Sequence, residues 1–130
     1  MNILAIDDER DARAFLSDLL TQEGHRVLTV ASALEAEKAL EKIPVDVVLL
    51  DLMMPGKDGF RFARDLAENW TNSRLPMIAI SCLDDEVSKA CAKALGCVRY
   101  IEKPVSPTRL LEALREIDRG GPDLARVGIR

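Results

Sequence analysis

Apolar residues fall along this chain in two alternating rhythms. Short unbroken runs stop near a carboxylate or hydroxyl, and after each one apolar positions recur every three or four residues. Unbroken runs suit strands covered on both faces, whereas the longer periodic stretches suit amphipathic helices. The pattern predicts strands at Asn2–Ile6, Arg26–Val30, Asp46–Leu50, Met77–Ile80 and Arg99–Ile101. Ala12, Phe15, Leu16, Leu19 and Leu20 mark a first helix, and Ala36, Ala39, Leu40 and Ile43 a second. Phe62, Ala63, Leu66 and Trp70 mark the third, Val87, Cys91, Ala94 and Leu95 the fourth, and Leu110, Leu111, Leu114 and Ile117 the fifth. These stripes read as core. Strand and helix alternating in this way imply an α/β fold, a parallel sheet flanked by helices.

Local stops agree with that reading. Ser32 and Glu35 have the spacing of a capping box. Gly24 and Gly96 follow helical stretches as C-terminal caps do, and Ser106-Pro107 suits an N-cap and first helical position. After Arg119 the periodicity ends in Gly120-Gly121-Pro122, so residues 1–119 read as one domain and 120–130 as a tail or the start of a linker.

Composition narrows the classes. With 48% hydrophobic and 31% charged residues, the 130-residue chain has the make-up of a single soluble domain able to bury its own core. A net charge of −4 argues against direct nucleic-acid binding. No basic segment precedes a long apolar stretch, so the expectation is a cytoplasmic protein with no membrane contact. Cys82, Cys91 and Cys97 form no CxxC pair and His25 is the only histidine, which argues against zinc. The thiols read as reduced and mostly buried, and His25 as a surface turn residue without a chemical role.

Chemistry gathers where strands end. Asp7 and Asp8, with Glu9 behind them, close the first strand and Asp51 closes the third. In an open parallel sheet the carboxyl ends of the strands border the ligand crevice. Acids meeting there repel one another unless a hard cation neutralises them, and Mg²⁺ held by carboxylates, waters and a phosphate oxygen fits best. Ser81 ends the fourth strand and Lys103 follows the fifth, so both reach the same edge. The ammonium can pair with Asp51 or a phosphoryl group, and the hydroxyl can donate to a phosphoryl oxygen. On this reading Asp7 and Asp8 hold the cation and Asp51 is the nucleophile.

Together Ile6-Asp7-Asp8-Glu9, Leu50-Asp51-Leu52-Met53-Met54-Pro55-Gly56 with Asp58-Gly59, Ser81, and Tyr100-Ile101-Glu102-Lys103-Pro104 resemble the receiver domain of bacterial two-component response regulators. The likeness spans about residues 1–119. It implies a doubly wound, flavodoxin-like five-stranded parallel sheet in the order 2-1-3-4-5 with five flanking helices. It implies that Asp51 is the phosphoacceptor and that Asp7, Asp8, Asp51 and the Met53 backbone carbonyl bind Mg²⁺. By the same resemblance Lys103 contacts the phosphoryl group, Ser81 and Tyr100 form the switch pair, and the Lys103–Pro104 peptide is cis. The implied partners are a histidine kinase or histidine phosphotransfer protein, and a downstream partner or missing output domain on the face of helix 4, strand 5 and helix 5. The implied state is a monomer or a weak phosphorylation-dependent dimer, and the implied chemistry is only the chain's own phosphorylation and dephosphorylation. The sequence departs from the family at Cys82, where alanine or glycine is usual, and at Cys97-Val98-Arg99.

Other classes fit less well. A haloacid-dehalogenase-like phosphohydrolase also uses a strand-end aspartate and Mg²⁺, but it needs an acid two residues later, where this chain has Met53. A flavin mononucleotide carrier would need hydroxyls and glycine in the first loop, whereas Asp7-Asp8-Glu9-Arg10-Asp11 would repel a phosphate.

Overall fold

The computed structural model describes residues 1–54, 59–69 and 75–119. Strands β1 (Asn2–Ile6), β2 (Arg26–Val30), β3 (Val47–Asp51), β4 (Met77–Ser81) and β5 (Cys97–Glu102) alternate with helices α1 (Arg10–Gln22), α2 (Ala33–Lys42), α3 (Gly59–Asn69), α4 (Glu86–Ala94) and α5 (Pro107–Asp118). The strands form one parallel sheet in the order β2-β1-β3-β4-β5. Pro55, Gly56, Asp58, Trp70 and the segment 120–130 lie outside the described residues.

Strand alternation splits the core into two layers. Leu4, Ile6, Val48 and Leu50 face Ala36, Leu40, Phe62, Leu66 and Ala92, which come from α2, α3 and α4. Ile3, Ala5, Val47 and Leu49 face Leu16, Leu20, Leu110 and Leu114 from α1 and α5. Every residue of β3 and β4 is buried, which explains why their sequences carry no polar alternation. The helix ends follow the expected chemistry. The Ser32 and Ser106 hydroxyls accept from the Glu35 and Arg109 amides, and Glu35 turns back to accept from the Ala31 amide and the Ser32 hydroxyl. Gly24 and Gly96 sit at φ +90° and +100°, the left-handed backbone that follows α1 and α4.

Several expectations are corrected. Strand β3 is shifted one residue to Val47–Asp51, β4 runs on to Ser81, and β5 is longer at both ends than Arg99–Ile101. In α4 the stripe Val87–Cys91–Ala94 is not core: Val87 is 72% exposed, and Cys91 and Ala94 are exposed. The inward face is instead Ser88, Lys89, Ala92 and Leu95, one residue and so roughly 100° further round the helix. Ala92 alone in α4 is fully buried, and its small side chain lets the helix lie close to the sheet. Phe15 (42% exposed) and Ile43 (39%) also stand outside the core, while Ala33 and Ala113, absent from the predicted stripes, are inside it. Of the thiols only Cys97 is buried, because Cys82 lies in the loop after β4 and Cys91 on the outer side of α4. His25 is half-buried at the α1–β2 turn, its Nδ1 3.2 Å from the Met1 amino group.

Candidate functional site

The register of the sheet brings four side chains to one edge. Ile6 lies beside Leu50, Asp51 beside Ile80, and Ser81 beside Glu102. The residues at or just past these strand ends, Asp7, Asp51, Ser81 and Lys103, therefore share the carboxyl-terminal edge. The Lys103 amide donates to the Ser81 carbonyl at 2.8 Å, and the Lys103–Pro104 peptide that follows is cis.

Asp7, Asp8 and Asp51 each offer a carboxylate oxygen within 4.8 Å of the other two. Asp7 and Asp51 are buried and Asp8 is exposed, so the cluster has two fixed walls and one side open to water. Lys103 reaches into it from the far end of the chain. Its Nζ lies 2.9 Å from Asp7 Oδ2, 3.3 Å from Asp51 Oδ2 and 3.4 Å from Glu9 Oε1. Thus the base missing from the sequence around the acids is supplied by topology. The second oxygens of Asp7 and Asp51 are held by backbone, with Glu9 N–H donating to Asp7 Oδ1 and Met53 N–H to Asp51 Oδ1, both at 2.9 Å.

One ammonium does not neutralise this cluster. Burial pushes the Asp51 carboxyl up to about 6, and the Asp7 charge adds to that; the Met53 amide and Lys103 pull the other way. Burial lowers Lys103, but the Asp7 and Asp51 carboxylates outweigh it and hold the ammonium above its ordinary range. The donor set is all oxygen, partly buried, short of positive charge and open on one side. Those properties fit a hard divalent cation that keeps part of its water shell, Mg²⁺ in particular.

Ser81 is fully buried, and its hydroxyl oxygen accepts from Leu83 N–H at 3.0 Å. The Tyr100 hydroxyl donates to the Leu83 carbonyl at 2.7 Å. Burial raises the Tyr100 hydroxyl pKa, and the Ser81 hydroxyl opposes that shift. The two side chains therefore meet at one loop residue. Around them Lys89 of α4 holds Glu102 of β5 at 2.8 Å, and Arg99 of β5 pairs with Glu116 of α5.

Two contributors escape the sequence pattern. Arg13 Nη1 donates to the Asp7 carbonyl at 2.8 Å, fixing the first acid from α1. Only its position in the first turns after the acids hints at this. Asp85 caps α4 by accepting from the Ser88 amide and hydroxyl, each at 2.8 Å. An Asp three residues before a serine at a helix start was the available signal.

The family model described as "Response regulator receiver domain" matches residues 3–115. Protein PilH of Pseudomonas aeruginosa is 31% identical over 118 residues, covering 91% of this chain and 98% of that protein. Transcriptional regulatory protein AfsQ1 of Streptomyces coelicolor is 32% identical over 131 residues, covering 98% of this chain but only 57% of its own length. The chain thus spans nearly all of one curated relative and little more than half of another. Among solved structures, Vibrio cholerae chemotaxis protein CheY4 superposes with a TM-score of 0.83 at 28% identity, covering 89% of this chain and 97% of that one. The BeF3-activated receiver domain of Klebsiella pneumoniae RstA gives 0.81 at 29%, covering 88% and 96%. Among the described residues, no helix is long and apolar enough to cross a membrane.

Proposed function

The chain belongs to the response regulator receiver family of two-component signalling systems, and on that premise we propose that Asp51 accepts a phosphoryl group from a histidine kinase or histidine phosphotransfer protein. The observation that carries this reading is the convergence of Asp7, Asp8 and Asp51 within 4.8 Å, with Lys103 Nζ 3.3 Å from Asp51. In this reading an Asp51 carboxylate oxygen attacks phosphorus as the donor's phosphorus–nitrogen bond breaks. Asp7, Asp8, Asp51 and the Met53 carbonyl would hold Mg²⁺, which supplies charge neutralisation for the transferred oxygens. Lys103 moves its pairing from Asp7 toward the new phosphoryl oxygens, and the Ser81 hydroxyl turns from Leu83 N–H to donate to them. Tyr100, already bonded to the Leu83 carbonyl, follows that loop, and the face built by α4, β5 and α5 changes.

That face would then bind a downstream partner or an output domain, the receiver unit would comprise residues 1–119, and the setting would be cytoplasmic. A haloacid-dehalogenase-like hydrolase has no support: Met53, half exposed, stands where its second acid would be. Acetyl phosphate with Mg²⁺ tests the reading by intact mass. One added phosphoryl group on the wild type and none on Asp51→Asn is expected; equal modification of both proteins would sink the nucleophile assignment.

A further inference from the structure

We propose that the groove between α3 and α4 is a docking site for an acidic amphipathic helix of a protein partner. It is lined by α3 and by the side of α4 turned away from the Lys89–Glu102 pair that joins α4 to β5.

The proposal starts from a contradiction. The apolar stripe of α4 has good helical periodicity, yet the fold leaves Val87, Cys91 and Ala94 exposed and buries the neighbouring face. A helix that keeps a second apolar stripe in water presents an unpartnered surface. Opposite it, the first turns of α3 supply Phe60, half-buried, and the exposed Arg61 and Arg64. Phe60, Arg61, Arg64, Cys91, Ala94 and Leu95 enclose a solvent-open groove with a cavity volume of about 510 Å³. An open trough between two helices accepts the side of another helix better than it encloses a small molecule.

Charge selects the occupant. The chain carries −4 overall, but the rim of this trough is cationic. Arg61 and Arg64 are three residues apart and so stand on one side of α3. Arg64, its side chain 57% exposed, meets its half-buried neighbour Asp65 only at the 4.0 Å limit, a solvent-screened pair worth little. Guanidinium groups favour carboxylates, and like charge across an interface is rejected. The complementary helix carries small or branched apolar residues at i, i+4 and i+7 to cover Cys91 and Ala94, flanked by glutamates that meet Arg61 and Arg64. The exposed Asp11, Phe15 and Asp18 of α1 show that a second copy offers a partial imitation of such a helix. That contact would join two different surfaces of the chain, so it would assemble copies of the protein in a way that depends on concentration.

The probe is a fluorescein-labelled peptide of about 18 residues, long enough to form helix, with a leucine stripe flanked by glutamates. Its counterpart has lysine at every glutamate position. Fluorescence anisotropy is expected to show saturable binding of the acidic peptide and none of the basic one. The double variant Arg61→Glu, Arg64→Glu, confirmed as folded by its circular dichroism, should bind at least about tenfold more weakly. In a Cys82→Ser background the acidic peptide should also slow alkylation of Cys91, a readout that needs no arginine substitution. The proposal falls if the acidic peptide does not bind, if both peptides bind alike, or if Cys91 is not protected. It falls equally if the unmodified protein forms concentration-dependent oligomers that either Phe15→Ser or Arg61→Glu dissolves, because the occupant is then a second copy.

Discussion

Asp51 carries a charge that its surroundings only half accommodate. Burial holds its carboxyl up at about 6, against an ordinary value of 3.8, despite the Met53 amide and Lys103. Well below its ordinary value of 3.8 the group is protonated in both folded and unfolded chains and imposes no penalty. Between about pH 4 and 6 the unfolded chain ionises freely while burial and Asp7 keep the folded one protonated, and above about 6 the folded chain ionises at that cost. The stabilising contribution present at low pH is therefore lost between about pH 4 and 6. Asp51→Asn has no such ionisation. In metal-free buffer it should be no more stable than wild type at pH 4 but more stable at pH 7, by up to about 3 kcal/mol. Urea unfolding at a series of pH values checks this, and added Mg²⁺ should narrow the gap at pH 7. A gap that stays constant with pH would show that Lys103 already neutralises the site.

At the scale of elements, α3 and the strand that carries Asp51 are locked by a missing side chain. A Cβ on Gly59 would lie 2.4 Å from the Asp51 carbonyl oxygen and 2.4 Å from Leu52 Cα, both backbone atoms that have no room to swing aside. Its amide also donates to the Leu52 carbonyl. Gly59→Ala should cost about 3 kcal/mol and shift the amide resonances of residues 51–53. Gly24→Ala meets no atom within 4 Å and strains only its own φ of +90°, so it should cost about 1 kcal/mol and leave those resonances alone. Equal effects of the two would mean that the close approach of α3 to β3 does not position Asp51. This close approach was present in the sequence as a glycine after Asp58, but nothing in the sequence gives its distance. The strands were legible because fully buried parallel strands lack polar alternation, and the caps because Ser32 and Ser106 stand at the right spacing. The acids and Lys103 were legible as strand-end residues. The rotation of α4 was not, since Val87–Cys91–Ala94 and Ser88–Ala92–Leu95 have the same period. Only packing of Ala92 on the sheet and the Lys89–Glu102 pair decide between them.

Across the whole molecule, the acidic edge and the α4–β5–α5 face are joined by a short covalent and hydrogen-bonded path. Ser81 Oγ accepts from Leu83 N–H, and the Leu83 carbonyl accepts from Tyr100, so one loop residue is gripped by both. Beyond it, β5 is fastened to α4 through Glu102 and Lys89 and to α5 through Arg99 and Glu116. If this path carries a signal, its two ends are not energetically independent. Tyr100→Phe keeps the ring and removes one hydrogen bond, worth about 1 kcal/mol, and should speed amide exchange in the loop between Cys82 and Asp85. Ser81→Ala removes the other grip and should release the same amides. With both substitutions the second loss acts on a loop already freed, so the combined destabilisation should fall short of the sum by about 0.5 kcal/mol or more. Denaturant unfolding of the four proteins measures that difference directly. Additive effects within error would show that Ser81 and Tyr100 act separately on Leu83, and the link between the acidic edge and the outer face would then have to run through the Lys103 backbone contact with Ser81 instead.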